Sequence, residues 1–142
     1  MKVSRKLKRL LRFSFGGLYA AGLTYWFARA WLKRPGEFGG LDPHPLERWA
    51  GPIHLGLALF FLVTFGIVWS QHIGPSLRRK QHRITGWGFV LLLAAQGVTG
   101  IIVLYGTERA IALAEAVHPY VGTLMLPLLA VHWVSRTLRT AR

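Results

Sequence analysis

Residues 49–70 read WAGPIHLGLALFFLVTFGIVWS, twenty-two positions without one Asp, Glu, Lys or Arg. A helix of about 20 apolar residues crosses the hydrocarbon core of a bilayer, because it satisfies its backbone polar groups within its own segment. Residues 84–106 form a second charge-free run. Residues 13–32 and about 110–135 are two more, each broken by one charge, Arg29 and Glu115. Four such runs in 142 residues, 52% of them hydrophobic and with mean hydropathy +0.35, leave little chain for anything else. The expected fold is all-α: an integral membrane four-helix bundle, up-down-up-down, forming a single domain over residues 1–142.

The formal charge of +13 is distributed in a way that orients the bundle. Lys2, Arg5, Lys6, Lys8, Arg9 and Arg12 precede the first run. Arg78, Arg79, Lys80 and Arg83 follow the second, and Arg136, Arg139 and Arg142 follow the fourth. With four spans these thirteen fall on one side, against Lys33, Arg34, Arg48 and Arg109 on the other. The latter are partly balanced by Glu37, Asp42, Glu47 and Glu108. Positive charge stays inside, so both termini are expected to be cytoplasmic in a multi-pass protein of a bacterial inner membrane. The basic residues then face anionic membrane lipid, and nucleic acid is not an expected partner. The run 13–32 ends in Trp31-Leu32-Lys33-Arg34 in place of a small-residue cleavage motif, which predicts a retained first helix.

Connection 33–48 is rich in Gly and Pro and reads as an exposed loop carrying His44. Gly16, Gly17 and Gly22 on the first run permit close helix approach. Gly86, Gly88, Gly97 and Gly100 on the third either pack a neighbouring helix or make room for a flat macrocycle. Pro127 is expected to bend the fourth helix, and Pro119 is a candidate start of its true span.

Histidines mark both ends of two runs. His54 and His72 are 72 − 54 = 18 residues apart, which at about 100° per residue puts them on one face, roughly 27 Å apart in rise. His118 and His132 are 132 − 118 = 14 apart, within about 40° of one face and roughly 21 Å apart. If the second and fourth helices run parallel, His54 matches His118 in depth near the outer surface, and His72 matches His132 near the inner one. His82 is the alternative to His72, although it lies in the basic stretch Arg78-Arg79-Lys80-Gln81-His82-Arg83. Such intramembrane histidines are functional residues by default.

Two imidazoles without a Cys or a placed carboxylate do not complete a zinc or copper site. They do suffice for an iron already held by a porphyrin. The absence of cysteine excludes iron–sulfur clusters and thioether-attached haem, leaving non-covalent haem b. Two histidines per iron close it to oxygen, which points to electron transfer. The expected cofactors are two haem b groups, with His54, His72, His118 and His132 as axial ligands. Arg48 or Arg109 at the outer end and Arg83 with its neighbours at the inner end are candidate partners for the propionates.

These segments resemble the small bacterial four-helix di-haem cytochromes b and, more distantly, the cytochrome b subunits that anchor formate dehydrogenases and hydrogenases. The matching pieces are Trp49-x4-His54, His72, Arg83-x2-Gly86, Thr99-Gly100 with Leu104-Tyr105, His118-x3-Gly122, and His132. The resemblance covers 49–139 and implies the same four axial ligands, with Gly122 beside the cofactor. Pro119 directly after His118 and the extra His82 depart from it. It also implies electron exchange between a quinone pool or membrane partner and a periplasmic redox protein, such as a c-type cytochrome or a dehydrogenase subunit. The chain would then be an electron-transfer subunit with no substrate chemistry of its own. The competing expectation is a haem-free membrane scaffold or assembly subunit of a respiratory complex, whose histidines are interfacial.

Overall fold

A computed structural model describes the backbone of residues 4–37, 39–75 and 83–140, and their side chains apart from 72, 83–85 and 132–140. Four helices dominate: α1 Arg5–Trp31, α2 Pro45–Val68, α3 Arg83–Tyr105 and α4 Glu108–Thr140. A short antiparallel pair, β1 Arg34–Pro35 and β2 Leu41–Asp42, lies between α1 and α2. The chain divides into two compact units, 1–75 and 76–142. Each holds one pair of helices.

In the first unit α1 begins at Arg5, eight residues before the apolar run. The Ser4 hydroxyl accepts the Leu7 N–H at 3.2 Å and starts the helix there. Lys and Arg are good helix formers, so helix start and membrane boundary need not coincide. The helices pair antiparallel: Ser14 meets Thr64, Gly17 meets Leu57, Gly22 meets His54 and Tyr25 meets Gly51. Gly17 and Gly22 bear out the expectation of close approach, whereas nothing lies within 4 Å of a Cβ at Gly16. Phe15 and Phe61 pack with ring centroids 5.8 Å apart, and Phe61 is only 3% exposed. Arg29, the charge within α1, sits 3.6 Å from Glu47 and donates to the Tyr25 hydroxyl at 3.0 Å. That pairing gives an arginine near the end of an apolar helix the partners it needs.

Ser14 and Thr64 are the most buried polar side chains described, at 2% and 1% exposure, with their hydroxyls 3.2 Å apart. Each also reaches a carbonyl of its own helix, Leu11 or Phe61. A Ser14→Ala, Thr64→Val double-mutant cycle is expected to give a coupling of about 0.6 kcal/mol, typical of hydrogen bonds between helices in lipid. It is read from unfolding in mixed micelles, and zero coupling would mean that the bond contributes nothing.

Three local expectations change. His44, expected to be an exposed loop residue, is half-buried and caps α2, its Nδ1 accepting the Leu46 N–H at 3.1 Å. Connection 33–48 is not purely loop, since Gly39 and Gly40 turn it into the β1–β2 hairpin at φ 82° and 89°. Finally, α2 does not remain α-helical to His72: Trp69–Ile73 is a π-turn. A π-turn breaks the 3.6-residue phase. The uniform α-helical phase assumed between His54 and His72 therefore extends only to Val68.

In the second unit α3 and α4 also pair antiparallel. Gly88 faces Leu128, and Gln96 lies against both His118 and Gly122. The helix α4 runs through Pro119 and Pro127 without interruption. Pro119 therefore does not begin a new helix, and 108–117 belongs to the same element.

Three segments are long and apolar enough to cross a membrane: Pro45–Gln71, Gly86–Tyr105 and Glu108–Val131. The expected fourth, within α1, is not among them: its run 13–32 carries Arg29 and many residues of low hydropathy (Ser14, Gly16, Gly17, Tyr19, Gly22, Thr24, Tyr25, Trp26). Val63, Leu91 and Leu113 are more than 60% exposed on these segments, as suits a lipid solvent.

Candidate functional site

The two outer-end histidines are both described, and each is held within its own unit. His54 lies near the start of α2. Its Nδ1 is 3.1 Å from the Leu18 carbonyl oxygen of α1. A carbonyl only accepts, so Nδ1 carries the hydrogen and the neutral ring has its lone pair on Nε2. The seat for this ring is Gly22. A Cβ there would stand 2.8 Å from His54 Cε1 and 2.9 Å from Nδ1. Glycine at 22 is thus required by an imidazole as well as by helix approach.

His118 is held by two side chains of α3. Its Nδ1 lies 2.8 Å from Thr99 Oγ1, and its Nε2 lies 3.2 Å from Gln96 Nε2. The Gln96 amide nitrogen only donates, so His118 Nε2 accepts and its proton again sits on Nδ1. The Thr99 hydroxyl gives its hydrogen to the Ala95 carbonyl at 2.8 Å and receives the Nδ1 proton. Gly100 lies beside the ring, where a Cβ would stand 3.5 Å from His118 Cε1, an ordinary contact that a side chain could make. Gly122, one turn along α4, lies under the Gln96 amide: a Cβ there would be 2.7 Å from Gln96 Nε2.

The inner-end residues are only partly described. His72 falls in the π-turn and His132 in the last third of α4, with their side chains outside the described residues. His82 lies wholly outside them, and Arg83 is described by its backbone alone, at the start of α3. Arg48 is exposed on the first turns of α2. Among the described residues no three His, Cys, Asp or Glu side chains gather as a metal-ion site.

The two imidazoles fit an axial ligand of haem iron. Such a ligand binds through a neutral nitrogen and gives its other N–H to a carbonyl or similar acceptor, which fixes tautomer and ring orientation. His54 with Leu18 and His118 with Thr99 are both in that state. Reading residues alone did not find these acceptors. Leu18 contributes a backbone oxygen, for which side-chain identity carries no signal. Thr99 and Gln96 did carry one, as polar residues inside a charge-free apolar run.

No family model matches the chain, and no curated protein or solved structure is found to match it. The apolar helices by themselves are those of a helical membrane protein.

Proposed function

We propose that this chain is a transmembrane electron carrier of the b-cytochrome type. Its four helices would cross a bacterial inner membrane up-down-up-down, with both termini on the cytoplasmic side, as the thirteen-to-four distribution of basic residues supports. His54 and His118 serve as axial ligands toward the outer surface, and His72 and His132 toward the inner one. Each haem b, when bound, supplies a one-electron couple between ferric and ferrous iron. Leu18 and Thr99 hold the outer imidazoles in the ligating tautomer. Arg48 and Arg83 offer guanidinium groups to propionates, and Gly22 admits the His54 ring. Electrons pass between a quinone pool or membrane partner and a periplasmic redox protein.

The observation that carries this reading is the shared state of His54 and His118, each donating from Nδ1 and keeping its lone pair on Nε2. The same contacts also favour a second reading, a haem-free scaffold in which both rings join neighbouring helices. Reduced-minus-oxidised spectra taken with and without carbon monoxide test the first. A b-type spectrum that carbon monoxide leaves unchanged is expected, because two histidines close the iron. A shift with the gas would overturn the electron-carrier assignment, and a colourless protein would favour the scaffold.

A further inference from the structure

Gln96 has one polar end engaged and the other without a hydrogen-bond partner. It sits on α3 in a run without charge, half-buried. Its amide nitrogen occupies the ligating nitrogen of His118 at 3.2 Å. Its other polar atom, Oε1, is buried with no hydrogen-bond partner. An orphaned buried carbonyl is unfavourable, so this rotamer gains from one contact and loses at the other end. The seat beneath it exists because residue 122 has no Cβ, which would otherwise press on the amide nitrogen at 2.7 Å. Gly122 therefore acts on His118 through Gln96.

Resting on the haem reading, we propose that Gln96 is a latch on His118: in the haem-free protein its amide N–H holds the Nε2 lone pair, and it swings off Gly122 before that nitrogen ligates. The latch keeps His118 in the ligating tautomer and oriented by Thr99 while the site is empty. Departure of the amide releases the orphaned Oε1 from its buried position, which offsets part of the lost bond. Thr99 has the opposite role, since its contact with Nδ1 persists in both states.

The test uses full-length haem-free protein in detergent, titrated with hemin. The variants are Gln96→Leu, which has no donor, and Gly122→Ala, which pushes the flexible amide off its seat. Both are expected to bind hemin at the His118 site about three- to ten-fold more tightly, the range of one net hydrogen bond. Thr99→Val is expected to bind about ten-fold more weakly, as for loss of an outer-shell partner. A ring-nitrogen NMR spectrum of the haem-free protein gives an independent readout. Gln96→Leu should move the His118 Nε2 resonance and leave Nδ1 protonated. Unchanged or weaker hemin affinity in Gln96→Leu, or an unmoved Nε2 resonance, overturns the latch and leaves the haem reading standing. If no protein binds hemin, wild type included, the haem reading fails and the latch falls with it.

Discussion

Replacing His118 with alanine is expected to remove one of two haems from the purified protein and leave the other spectrally intact. The ring meets Thr99 Oγ1 and Gln96 Nε2 across from α3, so the substitution deletes the proposed ligand together with both of these contacts. Loss of a half-buried ring also weakens the packing of α3 against α4. Structural damage and loss of a ligand must therefore be separated. Free imidazole added to the His118→Ala protein provides the separation, because it fills the vacated volume and restores a nitrogen donor without repairing the helix. Recovery of the lost half of the spectrum is the expected result. Full haem content in the variant without imidazole would remove His118 from the ligand set.

The second large effect is expected from Gly22→Ala. One methyl group on α1 would stand 2.8 Å from His54 Cε1, inside any tolerable contact. The atoms that the methyl would meet all belong to the His54 side chain, so the imidazole is what moves. Moving it breaks the bond to the Leu18 carbonyl. Overpacking of this kind typically destabilises by about 1–3 kcal/mol. On the haem reading, ring misorientation adds a ten- to hundred-fold loss of affinity at the His54 site, on the order found when a second-shell partner is removed. Hemin titration and thermal unfolding measure the two parts. At Gly16, where nothing lies within 4 Å of the added methyl, the same substitution should leave the hemin titration unchanged and raise helix stability by up to about 1 kcal/mol, the difference in propensity between alanine and glycine.

The helical character of this chain is legible in its residues because apolar runs of membrane length have few alternatives to helix. Runs 84–106 and 49–70 correspond closely to α3 and to α2 with its π-turn. The ends were less legible for a physical reason. Apolar runs mark where lipid contact stops, whereas caps and propensity decide where a helix stops. So α1 extends back through its basic residues to Ser4, and α4 extends through Pro119 to Glu108. The shared face of His54 and His72 followed from uniform α-helical phase, and no residue pattern at Trp69–Ile73 announced the π-turn.

The candidate site was legible in its donors and not in its supports. His54 and His118 stand out as histidines in apolar helices. Their Nδ1 acceptors, a main-chain carbonyl 36 residues earlier in the chain and a threonine 19 residues earlier, depend on how helices pair and are fixed only by the fold. Gly22 was read as a helix-approach residue, and its second function, seating His54, emerges from the distance alone. Gln96 and Gly122 form a unit that neither residue suggests by itself.

The central claim is that the four histidines His54, His72, His118 and His132 hold two haems. The most direct measurement is haem per chain by pyridine haemochrome, on full-length protein expressed with ample haem. The account predicts two b-type haems per chain in the wild type and none when all four histidines are alanine. A wild-type protein without haem, or equal haem content in the two proteins, would contradict it.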